Sequence, residues 1–166
     1  MQSIQRIATL ESSCLKDDLR MVILTDYIRA DATNLIGRDT GFTQIGAVPI
    51  FEAVRRSVGE AQNIALLTGS LAIVPVSIQD QLSAFAQQYN GTVAFAPLEE
   101  AGPVPYVKAQ FSGGNQLSVR ILTRALEQGL IQILVGTTAL LGEGWDSPCV
   151  NTLILASYVG SFMLSN

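Results

Sequence analysis

An α/β fold, with an open and mainly parallel sheet flanked by helices, is what this sequence predicts, and three observations carry the prediction. Short apolar runs alternate with segments whose apolar residues recur at spacings of three and four, the repeat of a helix face. The positive mean hydropathy reads as a buried parallel sheet, whose strands are apolar on both faces. Composition agrees, because 48% hydrophobic and 14% charged residues in a chain of 166 fit a single domain over 1–166 with a sizeable core.

The elements follow in order. Ile4, Ile7, Leu10 and Cys14 make one face of a helix over 3–16. A short strand over 21–24 ends in Thr25-Asp26-Tyr27, and the polar, glycine-punctuated stretch 30–46 reads as a loop or irregular turn. Pro49 begins a helix to Val58, since proline suits a first helical turn. The strand 64–67 is closed by Thr68-Gly69-Ser70. A helix over 78–89 stops at Asn90-Gly91. Segments 92–96 and 106–111 read as a hairpin joined by the 97–105 loop, either an insertion or an extension of the sheet edge. Asn115 caps a helix running to Gln128, with Leu117, Ile121, Leu122, Ala125 and Leu126 as its apolar stripe and Gly129 as its end. Strands at 131–135 and 152–156 complete the chain's regular structure.

Several classes of function are excluded or disfavoured. No uninterrupted apolar stretch approaches the roughly 20 residues of a membrane helix, so no membrane partner is expected. The first 20 residues carry charges and glutamines where an export signal needs an apolar block. With no histidine, neither a histidine-containing zinc site nor imidazole catalysis is available, and no metal site is expected. Cys14 and Cys149, far apart in sequence, read as small core hydrophobes in a reducing cytoplasm. The net charge of −4 disfavours a free-standing nucleic-acid binder. Arg29, Arg38, Arg55 and Arg56, interleaved with Asp26, Asp31, Asp39 and Glu52, read either as a solvated face or as a strand-binding surface.

The densest information lies in 134–157. An apolar strand meets Gly136-Thr137-Thr138, a short segment closes with Gly142-Glu143-Gly144-Trp145-Asp146, Ser147-Pro148 follows, and a second apolar run begins at Thr152. The order is strand, polar elbow, short helix, glycine-rich turn, strand. In an open parallel sheet, ligands sit at the carboxyl ends of the strands. This pattern resembles motif V of superfamily 2 (DEAD/DEAH-type) helicases, in their second, C-terminal RecA-like domain. The strand ending Thr25-Asp26-Tyr27-Ile28-Arg29 looks like motif IV, and Ala65 to Ser70 looks like the next strand with its small-residue turn. The chain then reads as a fragment ending before motif VI, and its last residues, 158–166, are expected to fray or to bury their apolar side chains against a neighbour.

The resemblance implies a second RecA-like domain of an ATP-dependent DNA or RNA helicase or translocase, whose partner is the N-terminal RecA-like domain of the same parent chain. Thr25, Gly69, Gly136, Thr137 and Thr138 would face a phosphate of the nucleic-acid strand. Gly142, Glu143, Gly144 and Asp146 would face ATP, with the Asp146 carboxylate accepting from a ribose hydroxyl. Trp145 would either fill space against the sheet or stack on a base or adenine. The 92–111 hairpin could act in the parent as a wedge at a duplex junction.

The sequence also departs from the family. It holds no G-x-x-x-x-G-K-[ST] loop and no Asp-Glu-Ala-Asp string, so ATP and magnesium belong to the full-length parent and the catalytic set is incomplete here. The isolated chain is expected to be inactive. A second reading makes it a non-catalytic α/β module that binds a nucleotide or a protein, with 134–157 as a connector in which Thr137 caps the short helix and Asp146 the Ser147-Pro148 turn. A third, a complete small enzyme with a Rossmann-like fold, is opposed by the absence of histidine and of G-x-G-x-x-G after any strand.

Overall fold

The computed structural model describes residues 1–26, 30–38, 45–99, 101–142 and 144–156. Their elements are α1 (Gln2–Leu15), β1 (Met21–Thr25), α2 (Ala47–Val58), β2 (Ile64–Leu67), β3 (Ala72–Pro75), α3 (Gln79–Gln88), β4 (Val93–Ala96), β5 (Tyr106–Phe111), α4 (Gly114–Glu127), β6 (Ile133–Thr137), α5 (Thr138–Leu141) and β7 (Thr152–Leu155). Tyr27 to Arg29, Arg29 among the basic residues above, and Asp39 fall outside the described residues, as does the 158–166 tail.

The seven strands form one sheet in the order β4-β5-β3-β2-β6-β1-β7. One half, β2-β6-β1-β7, is parallel throughout. The other half is antiparallel, because β3 pairs antiparallel with both β2 and β5, and β4 with β5. The sheet is therefore mixed, with β3 and β4 opposed to the remaining strands. The 92–111 hairpin extends the sheet edge rather than standing apart from it.

Each strand residue chooses a face by the two-residue period. Met21, Ile23, Ile64, Leu66, Ile133 and Val135 enter one core with α1 and α2. Val22, Leu24, Ala65, Leu67 and Leu134 enter a second core with α3, α4 and α5. The connection from β1 through α2 to β2 crosses the sheet in one direction on the first face. The connection from β5 through α4 to β6 crosses in the other direction on the second face. Opposite directions on opposite faces give both crossovers the same hand, the arrangement of a doubly wound sheet.

Four differences from the sequence reading have physical causes. The strand β3 was not anticipated: Thr68 to Leu71 is a tight hairpin turn, with Thr68 N–H donating to Leu71 O at 2.8 Å, so the chain returns at once along β2. In α1 the buried stripe is Ile4, Ala8 and Ser12, while Ile7 and Leu10 are 39% and 61% exposed and Cys14 is exposed. The small side chains at 8 and 12 are the ones that admit close packing, and Ser12 Oγ accepts from the buried Gln62 Nε2. Cys14 is accordingly not a core residue. Helix α4 starts at Gly114 behind Gly113, with no side-chain cap, so Asn115 lies inside the helix rather than capping it. Gly114 at φ +65° takes the left-handed conformation that glycine adopts without strain. Residues 30–35, expected to be irregular, form a turn of 3-10 helix.

The 97–105 loop folds down onto the first core, where Leu98, Ala101 and Val104 pack. It also grips the 30–38 segment: Gly102 N–H donates to Ile36 O at 2.7 Å. A Cβ on Gly102 would lie 2.4 Å from Gly37 O, so the two backbones approach where only glycine fits.

Candidate functional site

Three adjacent parallel strands deliver their carboxyl ends to one edge of the sheet. Thr25 at the end of β1 sits opposite Thr137 at the end of β6, and Gly136 is flanked by Leu24 on one side and Leu67 on the other. Both threonines are buried. Beyond Leu67 comes the Thr68-Gly69-Ser70 turn, where Thr68 Oγ1 accepts from Leu71 N–H at 2.9 Å and holds the bend closed. Gly69 is exposed at its tip.

The crevice between β1 and β6 is the switch point of the fold. The chain leaves β1 toward the face carrying α2 and leaves β6 toward the face carrying α5, which separates the two loops at the carboxyl ends. Across that gap Thr138 Oγ1 donates to Asp26 Oδ1, and both side chains are accessible. Gly136 is required by packing: a Cβ there would lie 2.9 Å from Leu67 O and closer still to Leu141 Cδ1. Thr137 occupies the position before α5 but makes no side-chain capping bond, so it does not serve the short helix as a cap.

The structure thus brings Thr25, Gly136, Thr137 and Thr138 together, with Gly69 on the neighbouring strand end. The remaining described residues follow α5. Gly142 donates its N–H to Thr138 O at 2.9 Å and closes α5, where a Cβ would strike that same carbonyl. Gly144 turns the chain at φ +78° in open space. Asp146 is exposed and lines a cavity of about 410 Å³ beside α4, together with Tyr89, Arg120, Thr123 and Trp145. Thr25, Thr137 and Thr138 do not line that cavity. Glu143 lies outside the described residues. Trp145 packs against the second core and donates Nε1–H to Thr123 Oγ1 at 3.0 Å, so it anchors the turn to α4.

Electrostatics around α2 answer the question of the arginines. Glu52 is fully buried and takes bonds from Arg55 Nε at 2.7 Å, Arg56 Nε at 2.9 Å and Gly37 N–H at 2.9 Å. Arg56 also donates to Leu35 O. Burial raises the Glu52 pKa, but the bonds from Arg55, Gly37 and Arg56 outweigh it and hold the carboxyl below its ordinary value. Glu52 and Arg56 therefore tie the segment after β1 to α2, and Arg55 is held by the Glu52 carboxylate on the same helix.

Two neighbours of this edge escaped the sequence reading. Asn115 reaches the Thr68-Gly69-Ser70 turn, its Nδ2 being 3.8 Å from an ideal Cβ on Gly69, and both residues line a cavity of about 350 Å³. Lys108 on β5 also lines it. Their only sequence signal is polar character within a strand and at the start of a helix.

Among the described residues no cluster of three or more histidine, cysteine, aspartate or glutamate side chains could hold a metal ion. No helix among them is long and apolar enough to cross a membrane. Fold and site together define an α/β protein with a mixed, doubly wound sheet and a polar crevice at the carboxyl ends of its central strands. No family model, curated protein or solved structure matches this chain.

Proposed function

We propose that this chain is the second RecA-like domain of an ATP-dependent helicase or translocase of superfamily 2. In this role it binds a DNA or RNA strand along the carboxyl edge of the sheet and contributes to an ATP site completed by an N-terminal RecA-like domain. One observation carries the reading: the strand ends that resemble motifs IV and V, Thr25 and Thr137, are cross-strand neighbours at the switch point. Hydroxyl and backbone N–H groups at 136–138 can then meet a phosphate oxygen, a contact that positions a strand without reading its bases. ATP and magnesium, bound mainly by the other domain, would supply the phosphoryl transfer. This chain's own part is to orient the strand and, through Gly144 and Asp146, to approach the nucleotide.

Fluorescence anisotropy of labelled single-stranded DNA and RNA at several salt concentrations tests it. Binding that weakens linearly with the logarithm of salt, and weakens further in Thr137→Ala, is expected. Affinity unchanged by that substitution in folded protein would sink the strand assignment. A second reading, the non-catalytic module, draws support from Asp146, which sits beside Arg120 and Trp145 in the cavity on α4. On that reading 134–157 is a connector.

A further inference from the structure

A groove of about 580 Å³ lies on the first face of the sheet, lined by Thr33, Ser70, Leu98, Glu99, Lys108 and Gln110 among others. Its floor is unusual chemistry for a sheet. β5 is an interior strand, and Lys108 is paired there with Ile73 of β3 and Ala96 of β4. Ile73 is fully buried, and Lys108 itself is half-buried.

A half-buried lysine either extends its ammonium into water or pairs it with a carboxylate or carbonyl. Lys108 has no such partner among the described residues: the salt bridges there join Arg55 and Arg56 to Glu52, and no hydrogen bond reaches its ammonium. The guanidinium groups of Arg20, Arg55, Arg56 and Arg124 are all held by oxygen acceptors. Among the described residues, Glu99, exposed on the rim, is the one acidic group lining the groove, and it does not pair with Lys108. The lining therefore offers a cation on the floor with hydroxyl and amide groups around it.

We propose that this groove binds a phosphate group, with the Lys108 ammonium as its counter-charge and Ser70, Thr33 and Gln110 as hydrogen-bond donors. Three rotatable N–H donors on a flexible stem suit a phosphate oxyanion as a point charge. The phosphate belongs to a nucleic-acid backbone where the strand reading holds, since Ser70 adjoins Gly69 and the groove continues that edge toward β5. It belongs to a free nucleotide where the strand reading fails.

The chain contains two lysines, Lys16 and Lys108, and Lys16 is exposed at the end of α1. Limited amine acetylation read by mass spectrometry therefore carries its own control. The full chain is labelled alone, with a single-stranded oligonucleotide, with ATP and with pyrophosphate. Protection of Lys108 and not of Lys16 by the oligonucleotide is the expected result. Protection by ATP and pyrophosphate but not by the oligonucleotide keeps the phosphate site and assigns it to a free nucleotide. Equal labelling of Lys108 under all four conditions overturns the proposal.

Lys108→Ala, whose folding is checked by its melting curve, should weaken the protecting ligand about tenfold and, for a strand, reduce the salt slope by about 1. Unchanged affinity would also overturn it. Failure of the strand reading registers separately, as oligonucleotide binding indifferent to Thr137→Ala, while the pyrophosphate arm needs no strand.

Discussion

Thr138 and Asp26 are 112 residues apart in sequence and hydrogen-bonded in the fold, hydroxyl to carboxylate, across the crevice between β6 and β1. The bond ties together the two loops that a ligand at the switch point would have to meet. It forms because β1 and β6 are parallel and in register from Met21 with Ile133 to Thr25 with Thr137, which sets the next residue of each chain side by side.

The bond is accessible to water, so its contribution should be modest. Thr138→Val and Asp26→Ala are each expected to destabilise by about 1 kcal/mol, and their effects should not add, since both remove the same bond. Urea denaturation of the two single variants and the double variant measures this. Fully additive losses would mean that the two side chains do not cooperate in solution.

Glu52 makes stability depend on acid. Its folded pKa lies below its ordinary value of 4.5, so the stabilisation is present above that value and is lost as pH falls through the folded one. Unfolding free energy should therefore decline below about pH 4.5, more steeply in the wild type than in Glu52→Gln. Glu52→Ala should cost on the order of 3 kcal/mol at neutral pH, because Arg55, Arg56 and the Gly37 N–H lose a shared acceptor. Parallel pH profiles for wild type and Glu52→Gln would refute the assignment.

The 97–105 loop should behave as a cover over the first core and not as a projecting wedge. Gly102→Ala forces a Cβ toward the Gly37 carbonyl and is expected to destabilise by about 2 kcal/mol. Gly59→Ala offers the contrast, since Gly59 has φ +61° but nothing within 4 Å; backbone strain alone should cost about 1 kcal/mol. Deleting 97–105 would uncover Leu98's and Val104's packing partners and should lower the melting temperature before it alters any ligand affinity. A deletion that leaves stability intact would return the loop to a functional role.

What could be read from the residues, and what could not, follows the range of the forces involved. The apolar runs of β1, β2 and β6 announce themselves because burial on both faces leaves no polar alternation to confuse the period. Asn90 and Gly129 mark helix ends correctly, for both adopt positive φ, at 59° and 76°. Residues 72–75 do not declare themselves a strand, because Thr68-Gly69-Ser70 looks like the close of a strand whether the chain departs into a loop or doubles back. Only pairing with β2 decides that. The buried face of α1 is ambiguous in the sequence because Ile4 belongs to two overlapping stripes, and the choice between Ile7-Leu10 and Ala8-Ser12 is made by how closely α2 can approach. At the site, the neighbouring ends of β1, β2 and β6 follow from parallel topology. Asp26 as the partner of Thr138 does not, since no local rule links side chains from distant strands. Nor does the burial of Glu52 between two arginines, which the sequence shows only as alternating charge.

The last prediction separates the two sides of 134–157. Thr137 stands beside Thr25 at the switch point, whereas Asp146 lines the cavity on α4, so one ligand contact should not serve both. Thr137→Ala should weaken binding of a labelled oligonucleotide at every salt concentration, with the salt slope unchanged because the hydroxyl is neutral, while sparing nucleotide binding. Asp146→Ala should raise the ATP concentration needed for half-saturation and leave the oligonucleotide nearly unaffected. Each change removes about one hydrogen bond, on the order of 1 kcal/mol, or roughly five- to tenfold in affinity. In a parent protein with both RecA-like domains, the Thr137 variant should also hydrolyse ATP with less stimulation by the strand. If both substitutions only lower the melting temperature and leave every ligand affinity unchanged in the folded fraction, 134–157 is a connector, and the helicase reading loses its principal residues.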